Sequence, residues 1–172
     1  DFSRSRGLGD VYKRQTITMS VKDASSDDNF DALADQTVSA TTTDNDTAAF
    51  TLGAISGTVA ETGTTATFTV VLDVQPVGNV VIDVTSGDTG EATVSAAELT
   101  FTTGNWDTPQ TVTVTGVDDN IIDGSINTTI TMSVKDASSD DNFDGVADQT
   151  VTATTTDNDT AAFTLGAISG TV

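Results

Sequence analysis

Carboxylates are the residues with which this sequence could do chemistry. Glu61, Asp88, Glu91, Asp118, Asp119, Asp123, Asp157 and Asp159 stand in short segments between apolar runs, with hardly any Lys or Arg beside them. Gathered in space, such groups would repel one another. A hard divalent cation relieves that repulsion, and Ca2+ takes about 6–8 oxygen ligands in flexible geometry. The competing reading is a set of solvated turn residues, because Asp bonds its own backbone in turns. Composition closes off other chemistries. The 172 residues include no Cys and no His, which removes disulfides, zinc sites of the usual ligands, thiol nucleophiles and Ser-His-Asp triads. With 26 acidic against 6 basic side chains and a formal charge of −20, the chain repels phosphate backbones, so nucleic acid is not an expected partner. No apolar run reaches the roughly 18 residues of a bilayer span, so no membrane insertion of this segment is expected. Paired carboxylates can hydrolyse glycosides, but that needs a cleft. Short loops do not promise one, and the chain reads as a non-enzyme.

The elements that would gather these acids are strands. Residues 16–59 recur at 129–172 with an offset of 113, and only Ala32/Gly145, Leu33/Val146 and Ser39/Thr152 differ. A period this long implies whole domains in tandem rather than solenoid turns. The expected division is 16–46 as closing strands of a preceding unit, 47–159 as a complete domain and 160–172 as the first strand of a following one. Residues 1–15 differ in composition and hold four of the six basic side chains, Arg4, Arg6, Lys13 and Arg14. Their end, Asp10–Gln15, resembles a translated sequencing adaptor, and the tail is expected to stand outside the fold. Within the unit, Phe68, Val70 and Leu72 alternate with Thr67, Thr69 and Val71, and Ile130, Met132 and Val134 alternate with Thr residues and Ser133. Period 2 marks strands with one buried face. The pattern predicts strands near 49–59 (broken at Gly53–Gly57), 64–73, 79–85, 98–102, 110–116, 127–135 and 149–156. Seven such strands fit an all-β, immunoglobulin-like antiparallel sandwich in a tandem array. If successive strands alternate in direction, all eight acids fall at one pole, where the next unit begins.

These runs resemble the Calx-beta domain. Val59-Ala60-Glu61, Asp118-Asp119-Asn120 with Asp123, and Asp157-Asn158-Asp159 fill the places of that family's acidic elements, and residues 99–116 are similar to repeats of that type in large bacterial surface proteins. GEATVSA (90–96) stands where the family carries G-x-D-Y. The resemblance implies a β-sandwich with Ca2+ at the acidic pole, held by Glu61, Asp118, Asp119, Asp123, Asp157 and Asp159. It also implies an extracellular or cell-surface location. A second run, Asp140-x-Asn142-x-Asp144-Gly145-Val146-x-Asp148, has the spacing of the first nine positions of an EF-hand-type loop, with Gly at position 6 and a backbone carbonyl from Val146 at position 7. It resembles the single loops of dockerins and thrombospondin type 3 repeats. Position 12 is Val151, so the closing acid is absent. The loop either holds Ca2+ itself or is a long hairpin loop with Phe143 tucked onto the sandwich end. By array order it would face Asp44 and Asp46 of the preceding unit, as a shared interdomain site.

Trp106, the sole Trp, reads as a cover over the open end of the core, since large aromatics mostly supply burial. The alternative is a sugar-stacking platform. The expected function is a calcium-stabilised structural extender repeat of a secreted or cell-surface bacterial protein, of adhesin type. Its partners would be the neighbouring repeats of the same chain, and a receptor or glycan bound by the parent protein. A glycan- or protein-binding module and an acid-rich spacer without metal are the alternatives.

Overall fold

The computed structural model describes residues 13–170. The chain divides into two compact units, 1–47 and 48–172. The first is a hairpin of β1 (Lys13–Met19) and β2 (Gln36–Thr42), paired antiparallel with Ile17 opposite Val38 and Met19 opposite Gln36. Short 3-10 turns at Asp23–Ser25 and Asp28–Phe30 fill its loop. Strand β1 includes Lys13, Arg14 and Gln15, opposite Thr42, Thr41 and Ala40. The expected boundary after residue 15 is therefore not a boundary of structure. Ladder pairing uses backbone groups, which every non-proline residue carries, so a change of composition does not stop a strand. The rest of the tail, 1–12, lies outside the described residues.

The second unit is an all-β sandwich, with no α-helix among the described residues. Its strands are β3 (Phe50–Leu52), β4 (Val59–Ala60), β5 (Thr65–Leu72), β6 (Val80–Ser86), β7 (Ala92–Val94), β8 (Glu98–Phe101), β9 (Gln110–Gly116), β10 (Ile126–Val134) and β11 (Gln149–Thr156). One sheet has the order β4-β11-β10-β6-β8 and the other β3-β5-β9-β7. The expected first strand is split at its glycines. Residues 50–56 follow β5, through Gly53 N–H to Thr69 O and Ser56 N–H to Thr67 O (both 2.8 Å). After Gly57 the chain crosses to the other sheet, where β4 runs parallel to β11 with Thr155 opposite Val59. The seven-strand expectation thus becomes nine segments. One arises from this split, and the other is β7, which pairs with the end of β9.

Alternation places the core. Phe68, Val70, Leu72, Val112 and Val114 from one sheet meet Val80, Ile82, Val84, Phe101, Ile130 and Met132 from the other, all buried. Burying each such side chain contributes about 1.5–3 kcal/mol. Trp106 is half-buried against this core, as the covering reading expects, and Phe143 is buried beneath its loop. Gly116, ending β9, lies so close to β4 that a Cβ there would collide with the Ala60 carbonyl oxygen. That close approach brings the ends of β4 and β9, and the acids that follow them, side by side.

Candidate metal centre

Strand direction delivers the acids to one end of the sandwich. Glu61 follows β4, Glu91 precedes β7, Asp118, Asp119 and Asp123 follow β9, and Asp157 and Asp159 follow β11. There the carboxylates form two groups whose oxygens lie within 4.8 Å of one another: Glu61 with Asp157 and Asp159, and Glu91 with Asp119 and Asp123. Backbone amides fix the first group. Asn158 N–H donates to Glu61 Oε2 (3.1 Å), Gly124 N–H to Asp157 Oδ2 (2.9 Å) and Asp159 N–H to Asp157 Oδ1 (2.6 Å). In the second group Asp119 Oδ1 accepts Ile121 N–H (2.7 Å). Asp118 belongs to neither group. It is exposed, and its Oδ1 accepts Asn158 Nδ2–H (3.1 Å). Asp88 also stays outside, accepting Gly90 N–H in a turn (2.9 Å).

One carboxylate oxygen lacks the partner its burial calls for, and it is not on Glu91. Glu91 is only 9% exposed as a residue, but neither of its carboxylate oxygens is buried without a partner. Its pKa is raised by burial and then by the charges of Asp123, Asp88, Asp119 and Glu61. Asp159 Oδ2 is buried without a hydrogen-bond partner, and burial and four neighbouring acids raise its pKa. Glu61 is 2% exposed. The Asn158 amide acts to lower its pKa, but burial and the charges of Asp157, Asp119 and Asp159 together raise it above the ordinary value. Asp157 is the exception. Hydrogen bonds from the Asp159 and Gly124 amides hold it below the ordinary range. Among the described residues of this unit no basic side chain pairs with these acids. Lys135, the one basic residue of the second unit, leaves β10 at the opposite end. There it pairs with Glu98 and more distantly with Asp83 (3.8 Å). A buried carboxylate without donors is costly unless a charge is paired with it. The oxygen-only donor set suits a hard cation of the Ca2+ type.

Strand order places Glu91 at the pole, but it is not among the expected ligands. The signal that could have found it is Ala92-Thr93-Val94, a minimal alternating run whose strand turns Glu91 inward. The backbone confirms the placement: Glu91 O accepts Val117 N–H (2.9 Å) and Thr155 Oγ1–H (3.1 Å).

The loop between β10 and β11 is arranged differently. Asp140 is buried, and its carboxylate is fully engaged. Val77 N–H (2.6 Å) and Gly78 N–H (2.9 Å) donate to Oδ2, and Asn142 N–H (3.1 Å) donates to Oδ1. Asn142, Asp144 and Asp148 are exposed, and Val146 packs on the core. Among the described residues none of this loop's acids joins a group with ligand spacing. Burial and the charges of Asp136, Asp141 and Asp140 raise the Asp144 pKa. Its 3-10 turns, Asp136–Ser138 and Asp141–Phe143, close a hairpin loop over Phe143. Asp44 and Asp46 lie in the first unit, where Asp46 N–H donates to Asp44 Oδ1 (3.1 Å). The same turn joins Asp159 to Asp157.

No protein-family model and no curated protein matches the chain. Among solved structures, SSP-19, an MSP-domain protein like family member of Caenorhabditis elegans, is similar at 17% identity. That match has a TM-score of 0.37 and covers 58% of this chain and 91% of that one.

Proposed function

We propose that the chain is a calcium-stabilised structural repeat, an extender unit of a secreted or cell-surface protein of adhesin type, with a cation at the acidic pole. The observation that carries the reading is Asp159 Oδ2, buried with no hydrogen-bond partner, with the charges of Asp157, Asp118, Asp119 and Asp123 around it. Glu61, Asp157 and Asp159 would hold one side of the ion site, and Glu91, Asp119 and Asp123 the other. The ion would neutralise charge and tie β4, β7, β9 and β11 together at the end where another unit would join. In the tandem arrangement, neighbouring units would meet at these poles and form a stiff rod.

Because the folded state binds the ion and the unfolded chain binds it poorly, Ca2+ at a hundred times Kd should add about 2.7 kcal/mol. For a unit of this size that is a Tm rise on the order of 10 °C. Thermal melts in millimolar Ca2+ and in chelator measure it, with NaCl at matched ionic strength as the control. Glu91→Gln and Asp119→Ala should each remove most of the calcium increment. Asp73→Ala should leave it intact, since Asp73 accepts Thr51 Oγ1–H at the far end of the sandwich (2.7 Å). An equal response to NaCl and CaCl2 would instead favour an acid-rich spacer with solvated charge.

A further inference from the structure

The chain contains two Asp-Gly dipeptides, Asp123–Gly124 and Asp144–Gly145, and no Asn-Gly. Such a pair can react with itself. Glycine carries no side chain, so its backbone nitrogen can close on the carboxyl carbon of the aspartate before it. The two pairs sit in different backbone settings. Asp144 ends the second 3-10 turn of the β10–β11 loop with φ −56° and ψ −30°. Ring closure needs a ψ far from that helical value, which carries the following nitrogen away from the carboxyl carbon. Asp123 and Gly124 are exposed in the loop between β9 and β10, outside any strand or helical turn. Gly124 has φ +79°, and a Cβ built on it would meet no atom within 4 Å. One contact holds its nitrogen: Gly124 N–H donates to Asp157 Oδ2 (2.9 Å). A bond of this kind, to an ionised acceptor, is strong. It also keeps the proton on the nitrogen, because a like charge beside a group opposes its ionisation.

We propose that Asp123–Gly124 is a modification site at which the chain converts itself to isoaspartate, and that Asp157 is the residue that restrains it. The Gly124 nitrogen gives its proton to solvent, and its electron pair forms a bond to Asp123 Cγ. The Cγ–OH bond breaks and water leaves, giving a cyclic imide. Water then adds back at one of the two imide carbonyls. Opening at Cγ restores aspartate, and opening at the backbone carbonyl leaves isoaspartate. Nothing is oxidised or reduced, and the final mass is unchanged. In the product the main chain runs through Cβ and Cγ, and the carboxylate sits directly on Cα. Residue 123 would then leave its group with Glu91 and Asp119, whose carboxylate oxygens lie within 4.8 Å of its own. The inference does not depend on a bound cation.

The test incubates the full chain with chelator at neutral pH and physiological temperature, in water labelled with heavy oxygen. Cleavage after Lys135 puts Asp123 and Asp144 in separate peptides, and fragmentation mass spectrometry reads label and isoaspartate in each. Isoaspartate should accumulate at Asp123 ahead of Asp144 in the unmodified sequence. Asp157→Ala should raise the rate at Asp123 by about tenfold or more, as expected for losing one hydrogen bond to a charged group, and leave Asp144 unchanged. Asp157→Asn, which disturbs the fold less, should raise it by a smaller factor. Asp159→Ala takes a carboxylate from the same group without touching the Gly124 bond, and should leave both rates near their starting values. Asp123→Glu, whose extra methylene disfavours the ring, should abolish the product. No isoaspartate at Asp123 in the parent chain or in either Asp157 variant would overturn the site. Equal rates in all three, or a rise shared equally by Asp123 and Asp144, would overturn Asp157 as its restraint.

Discussion

Hairpins β1–β2 and β10–β11 are nearly the same residues placed in two surroundings. Their pairing is identical position for position, Ile17 with Val38 and Ile130 with Val151, and both loops fold into the same two 3-10 turns. Burial is where they part. The first exposes Ile17, Met19, Phe30, Leu33 and Val38, whereas in the second Ile130, Met132 and Phe143 are buried and Val146 and Val151 pack on the core. The comparison separates two kinds of information. Turn chemistry and period-2 alternation specify the hairpin locally. Its stability is not local, because an isolated two-stranded hairpin is marginal in water and needs a further layer.

Truncating matched residues should break the pair apart most strongly. Met132→Ala should destabilise the second unit by about 2–5 kcal/mol, while Met19→Ala should change stability by less than about 0.5 kcal/mol. Denaturant melts followed through Trp106 give both values. Equal effects would mean that the two hairpins share one environment. Next in size is the polar latch. Asp140→Ala removes the carboxylate that accepts the Val77 and Gly78 amides, at about 1.5–3 kcal/mol for hydrogen bonding to a charged group. Asp27→Ala removes only a local turn bond and should stay within about 0.5 kcal/mol.

The smallest effect concerns the acidic pole, whose carboxylate groups need strands that the first hairpin lacks. Glu61, Glu91 and Asp159 have raised pKa values in the folded state. Between the ordinary glutamate value of 4.5 and neutrality, the folded state therefore holds more protons than the unfolded one. Without divalent cation, stability should rise as pH falls from 7 toward 4.5. Asp157 runs the other way, its contribution being lost only below its ordinary value of 3.8. With Ca2+ present the slope should reverse, because protons displace the ion from its ligands. Melts across this range with and without Ca2+ should give opposite slopes. Parallel slopes would sink the metal reading while leaving the hairpin comparison untouched.

Most strands were legible because one residue in two is apolar over six or more positions, as in Thr65–Leu72 and Gln110–Gly116. The break at Gly53–Gly57 was legible too, since glycine interrupts that alternation. The pole followed from strand direction alone. Strand β7 escaped, because three residues with one fully buried side chain carry almost no periodic signal. With it went the inward turn of Glu91. Nor could spacing reveal which carboxylates are consumed by amides. Asp118 and Asp140 are the same residue type as Asp119 and Asp159, and only tertiary proximity to Asn158, Val77 and Gly78 sets them apart. The strand at Lys13–Gln15 escaped for the opposite reason, since backbone pairing leaves little mark on composition.

The crossing of the first strand between sheets has a mechanical consequence. The chain enters the sandwich along β3 and β4 and leaves along β11, and β4 and β11 run parallel. Tension drawn through the two ends slides those strands along each other instead of peeling them apart. Their bonds, including Glu61 N–H to Thr156 O (3.2 Å), are then loaded together rather than one at a time. A cation gripping Glu61 beyond β4 and Asp157 and Asp159 beyond β11 would rivet the same two strands at the point where the pull arrives.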